Sequence, residues 1–199
     1  MRIILASQSP RRRELLERMG LSPFEIVPAR GEERADPALS PARLVEALSR
    51  QKAAEVAAAH PEALVIAADT VVSIDGLVLG KPHSEAEAAQ MLARLSGREH
   101  TVYTGVTVRL GDRADTGHEA AAVRFRPLSE ADIAHYVATG EPMDKAGAYG
   151  IQGYGAMLVE GIGGDYYNVM GLPVCRLARM LADFGLDPLA LAAEKERRA

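Results

Sequence analysis

The sequence contains one cysteine, Cys175, so no internal disulfide can form. With no Cys/His cluster around it, a structural zinc site lacks ligands as well. Cys175 sits in LPVCRLARML, where a small buried apolar residue is expected, and a reducing cytoplasm suits such a chain. Positive charge is not in excess either. The 23 Lys and Arg residues against 27 Asp and Glu leave a net charge of −4. That removes the global basic field a nucleic-acid polymer would need, so any anion site must be local. No apolar run approaches the roughly 20 residues required to cross a bilayer, so no membrane partner is expected. The opening MRIILAS is too short for a signal peptide and reads as a first strand. The five histidines show no metal-site spacing and read as surface residues. There is no G-x-S-x-G elbow, no G-x-x-x-x-G-K-[ST] loop, no internal repeat and no linker.

What is present suits an ordinary soluble domain. Apolar residues make up 48% and charged residues 25% of 199 positions, enough for one core and at most two lobes. Residues 3 to 6 predict a buried strand. Ser9 then caps a helix with Pro10 in its first turn, and Gly20 ends it. Ser40-Pro41 opens a longer helix reaching about residue 59. ALVIAADTVVSIDG predicts a strand running to a turn at Asp75-Gly76. Ser84 and Glu87 fit a capping box for a helix closed by Gly97. Residues 100–110 and 119–126 read as strands with LGDRADTG between them. Ser129 and Asp132 open a helix ending near Gly140. Residues 147 to 171 hold 8 of the 18 glycines, a further helix follows Pro173, and the charged tail from about residue 190 is expected to fray. The interleaving predicts an α/β fold with a mixed sheet.

Several positions stand out chemically. Arg11 and Arg12 lie in the first turn of a helix, where cations oppose the dipole. A bound anion would resolve the conflict, since a helix N-terminus offers unpaired N–H groups and Ser7 and Ser9 add hydroxyls. The bland alternative is a solvated basic turn. Asp69 interrupts the apolar run Leu64–Val72. A lone carboxylate there needs a cation, a metal or several donors, and either catalysis or a strand-end structural role accounts for it. Lys52 continues the helical line Leu44, Leu48, so it either snorkels to solvent or reaches a cleft. Lys81 occupies a Gly/Pro loop, and Glu32-Glu33 form an exposed acidic pair. In KAGAYGIQGYGAML the glycines fail the G-x-G-x-x-G pattern and allow either close ligand approach or tight turns. Gln152 carries a donor and an acceptor suited to a base edge.

Taken in order, S-x-S-P-R-R, A-A-D-T, G-K-P, K-A-G-A-Y-G-I-Q-G and G-L-P resemble the Maf family of nucleoside triphosphate pyrophosphatases, from Leu5 to about Phe184. The resemblance implies a bent mixed sheet flanked by helices, two lobes around a central cleft, and a relation in fold to inosine-triphosphate pyrophosphatases. It treats residues 1–199 as one domain, commonly homodimeric. It implies hydrolysis of a nucleoside triphosphate to the monophosphate and pyrophosphate with Mg²⁺ or Mn²⁺. Asp69 matches the proton acceptor, which either takes the water's proton directly or binds, with Glu33, the metal that acidifies it. Ser7, Arg12, Glu33, Lys52 and Lys81 match the cleft positions, and Arg11, Thr70 and Gln152 match those that sort substrates. A-D-T and the glutamine fit the branch acting on dTTP, UTP and modified pyrimidine nucleotides, a house-cleaning activity, rather than the branch acting on 7-methyl-GTP. The acidic pair is Glu-Glu where many members have Asp-Glu. Two rival readings carry different expectations. A nucleotide-binding regulator of septum formation would bind without turnover, and a nucleotidyltransferase would need an acceptor pocket.

Overall fold

Ser9-Pro10, Ser40-Pro41 and Asp187-Pro188 each start a helix, and the buried apolar runs at residues 3–5 and 64–74 become strands. A computed structural model describes residues 1–34, 36 and 38–198. In chain order it contains β1 (Ile3–Leu5), α1 (Pro10–Arg18), β2 (Glu25–Ile26), α2 (Pro41–Ala59), β3 (Leu64–Ile74), β4 (Leu77–Leu79) and α3 (Glu85–Leu95). There follow β5 (Glu99–Leu110), β6 (Arg113–Phe125), α4 (Glu130–Ala138), β7 (Val159–Gly163), α5 (Tyr166–Met170), α6 (Val174–Asp183) and α7 (Pro188–Arg198). Short 3-10 turns fill the stretch between α4 and β7. Among the described residues the strands form one seven-stranded sheet ordered β2-β1-β3-β5-β6-β7, with β4 paired to β3. It is mixed: β1 lies parallel to β2 and β3, whereas β3–β4 and β6–β7 are antiparallel. Among the described residues no helix is long and apolar enough to cross a membrane.

The chain divides into two compact units, Met1–Asp69 with Thr104–Glu119 and Gly171–Ala199, and Thr70–Tyr103 with Ala120–Met170. In the first, α2 packs on β1 and β3 through small residues: Ala53, Ala57, Ala63 and Ala67 join Ile4, Val56 and Val65. Small side chains let the helix approach closely. At Gly105 of β5 a Cβ would fall inside the backbone of Val45 on α2, so that contact requires glycine. In the second unit, α3 and α4 contribute Leu92, Leu95, Tyr136 and Val137 to a core with Val72, Val102, Phe125 and Tyr149.

Four expectations are corrected. The second long strand starts at Arg113, six residues before 119, and only Gly111-Asp112 turns the chain. Its first residues are polar and half-exposed, which hides the strand pattern. The charged tail is helical to Arg198: the Asp187 carboxylate accepts from Leu189 N–H at 2.9 Å, and α7 lies against Gly20 through Ala192. Cys175 is exposed on α6, beside Arg179 one turn on. His100 is buried rather than superficial.

Candidate active site

The stretch after β1 is built to hold a cationic side chain still. Ser7 is buried at the strand end and its Oγ accepts from Ser9 N–H at 3.2 Å. Ser9 is the N-cap of α1, with Pro10 at its first position. Arg12 emerges from that first turn. Its Nε donates to the carbonyl of Gly171 at 2.8 Å and one terminal nitrogen donates to Ser7 Oγ at 3.2 Å. A guanidinium holds five donors in a rigid plane, so these two bonds fix its orientation. Burial pulls Arg12 below its ordinary range; the Asp69 charge opposes that fall, the Arg11 charge adds to it, and Glu33 opposes it. Arg11, Arg12, Asp69 and Glu33 therefore share one electrostatic neighbourhood.

The second half of this arrangement comes from α2 and β3. Lys52 flanks the buried stripe of Leu48, Ser49, Ala53 and Val56, and of its two sequence readings the inward one holds. Its Nζ donates to Asp69 Oδ1 at 2.5 Å and lies 2.8 Å from a Glu33 oxygen. Asp69 follows two fully buried alanines, Ala67 and Ala68, on β3. Its side chain is only 12% exposed and that of Lys52 18%, so neither charge is well solvated alone. Glu33 is half exposed at 55%. The five side chains Arg11, Arg12, Lys52, Glu33 and Asp69 carry a net positive charge, which suits an anionic guest.

Two carboxylates within 2.8 Å of one nitrogen are also hard oxygen donors for a cation. Among the described residues no three His, Cys, Asp or Glu side chains gather into a protein-only metal site. Two carboxylates suit Mg²⁺ or Mn²⁺, which bind through one or two such groups together with phosphate oxygens and water. The residues present therefore fit such an ion.

Three expected site residues fall in the second unit. Thr70 follows Asp69 on β3 and is half-buried. Lys81 is exposed in the loop between β4 and α3, and Gln152 is exposed in the turn after Gly150. That turn is held by Glu141, which the sequence reading passed over. The Glu141 carboxylate accepts from Tyr136 Oη at 2.8 Å, Tyr154 N–H at 2.8 Å and Gly155 N–H at 3.0 Å. Burial works against its ionised form, but these donors and nearby Lys145 outweigh it and hold the carboxyl below its ordinary range. A Cβ at Gly153 would collide with this carboxylate. The glycines here thus serve tight turns around a half-buried acid. Gly171 was also missed as a site residue. Its φ of 108° lies where L side chains rarely go, and the isolated G-L-P was the available signal.

The sequence matches the family model described as Maf-like protein over residues 2–184. It is 58% identical over 188 residues to the dTTP/UTP pyrophosphatase of Moorella thermoacetica, covering 94% of this chain and 96% of that protein. To the dTTP/UTP pyrophosphatase of Bacillus velezensis it is 54% identical over 185 residues, covering 93% and 97%. Among solved structures, a HAM1 protein from Coxiella burnetii shares the fold with a TM-score of 0.54 at 16% identity, over 92% of this chain and 99% of that one. With one family model spanning most of its length and relatives above half identity along nearly all of it, this chain belongs to the Maf family.

Proposed function

We propose that the chain hydrolyses dTTP and UTP, with modified pyrimidine nucleoside triphosphates, to the monophosphate and pyrophosphate. The observation that carries this reading is Lys52 joined to both Asp69 and Glu33 beside an anchored Arg12. The activity named for the relatives at 58% and 54% identity supports the substrate class.

A triphosphate repels an attacking water until its charge is offset. Arg12, held by Ser7 and Gly171, offers its positive charge to phosphate oxygens, and Arg11 adds charge at the start of α1. The Lys52 ammonium has three N–H donors and can bridge the carboxylates and a phosphate oxygen. Lys81 serves as a further phosphate contact. Asp69 takes the proton from the water as its oxygen bonds to the α-phosphorus; the α–β anhydride bond breaks and pyrophosphate leaves with the bonding electrons. A Mg²⁺ or Mn²⁺ ion, held by Glu33 and Asp69, would screen phosphate charge and acidify a bound water. Gln152 and Thr70 are assigned to reading the pyrimidine. The same reading takes the enzyme as a cytoplasmic homodimer acting on free nucleotides.

The test is a panel of UTP, dTTP, CTP, ATP, GTP and 7-methyl-GTP, each with Mg²⁺ and with Mn²⁺, read by pyrophosphate release. UTP and dTTP should give equal amounts of monophosphate and pyrophosphate. Release of single phosphates, a preference for 7-methyl-GTP, or binding without turnover would overturn the reading.

A further inference from the structure

Glu33 sits in a stretch with no regular secondary structure, and residues 31 to 34 are exposed. Yet its carboxylate is held on Lys52 at 2.8 Å. Two side chains one turn apart on α2 account for this. Glu55 accepts the N–H groups of Arg30 at 2.7 Å and Gly31 at 3.1 Å. Gln51 does more. Its Oε1 accepts from Arg34 N–H at 3.1 Å, and its Nε2 donates to the carbonyl of Glu32 at 2.6 Å. One side-chain amide therefore grips the peptide groups on both sides of Glu33, with the donor and acceptor pairing that a neighbouring β-strand would supply.

Gln51 precedes Lys52 on the same helix. The residue that fixes the backbone around Glu33 and the residue that receives its carboxylate thus move together. Without Gln51, an exposed backbone with many accessible conformations would have to be ordered by the Lys52 ion pair alone, and a half-exposed pair contributes little.

We propose that Gln51 is a positioning residue for Glu33: by clamping Glu32 and Arg34 it delivers the Glu33 carboxylate to Lys52 and to the cation-binding face shared with Asp69. This rests on the reading above that Glu33 belongs to the nucleotide site. Both polar atoms of the Gln51 amide are bonded to the backbone flanking Glu33, so Gln51 acts through Glu33.

The experiment compares wild type, Gln51→Ala, Gln51→Met, Glu33→Gln and the double variant Glu33→Gln/Gln51→Ala, all as the full chain. Mn²⁺ binding is read by electron paramagnetic resonance with a saturating non-hydrolysable UTP analogue, and kcat and KM for UTP are measured alongside. Ala and Met both favour helix, so α2 should stay intact. Both Gln51 variants should bind Mn²⁺ about tenfold more weakly, the scale of one or two lost hydrogen bonds, while kcat at saturating Mn²⁺ falls less. In the Glu33→Gln background the Gln51 change should add nothing. Wild-type Mn²⁺ binding in Gln51→Ala, or full additivity in the double variant, would overturn the positioning role and leave the reading of Glu33 standing. If Glu33→Gln itself changed neither Mn²⁺ binding nor turnover, the place of Glu33 in the site would fall, and the role of Gln51 with it.

Discussion

The Lys52 ammonium on α2 and the Asp69 carboxylate on β3 stand 2.5 Å apart, both largely withdrawn from water. This pairing makes a charged acid tolerable inside an otherwise apolar strand. It also sets a tension. The cation that stabilises Asp69 is the group a triphosphate would draw towards itself. Glu33 lies 2.8 Å from the same nitrogen and shares its charge.

Replacing Asp69 by Asn keeps the shape and a carbonyl acceptor for Lys52 but removes the carboxylate assigned above as the base. Turnover of UTP should fall by about 10²–10⁴, the usual worth of a general base, while circular dichroism and melting stay near wild type. A loss within about tenfold, roughly 1.4 kcal/mol of barrier, would exclude Asp69 as the proton acceptor.

Lys52→Met should behave differently, because it strands a carboxylate in the interior. Breaking such a pair from one side costs more than removing both partners. For this mostly buried pair a stability loss of about 1–3 kcal/mol in urea denaturation is expected. Adding Asp69→Asn should recover most of that loss without restoring activity. A double variant no more stable than Lys52→Met would contradict the pairing.

Part of this arrangement was legible in the sequence for a physical reason: three residues each break a local rule. Asp69 interrupts an apolar run, Arg12 opposes a helix dipole, and Lys52 continues an apolar line. Ser9, Ser40 and Ser129 announced their helices because a cap is a purely local event. What escaped is non-local. Nothing near Gly171 in the chain reveals that its carbonyl receives Arg12, 159 residues earlier. Glu141 looks like an ordinary surface acid until the glycine turns fold around it. The early part of β6 carries polar residues on both faces and lacks the alternation that marks a strand. Gln51 has no signature, since the peptide groups it clamps could be bound by any amide in reach.

Gly171 should not tolerate a side chain. Gly171→Ala places alanine at a φ of 108°, at a cost of about 1–3 kcal/mol, and any relief of that strain rotates the carbonyl away from Arg12 Nε. KM for UTP should rise more than kcat falls. Arg12→Lys should match it, because an ammonium cannot bond Gly171 and Ser7 while still presenting a fork to phosphate. Gly171→Ala with an unchanged KM would separate the carbonyl from substrate binding.

Acid should weaken this protein through His100, far from the chemistry in kind. The imidazole is buried, with Phe125 and Tyr149 packed edge-on at 5.1 and 5.3 Å and its Nε2 2.8 Å from Tyr149 Oη. Its Nδ1 is buried without a hydrogen-bond partner among the described residues. A neutral ring leaves only a lone pair unsatisfied there, whereas protonation would bury both a charge and an unanswered N–H. Burial accordingly pushes the pKa from its ordinary 6.5 down to about 4. Above pH 6.5 neither folded nor unfolded chain is protonated at this site, so it costs nothing. Between pH 6.5 and 4 the unfolded chain takes up a proton that the folded chain refuses, and stability falls with pH. The full loss is about 3 kcal/mol, reached near pH 4. Urea denaturation at half-unit steps should show this slope in wild type, and His100→Phe should flatten it by about that amount whatever its stability at pH 7. An unaltered slope in the variant would move the acid sensitivity to other groups.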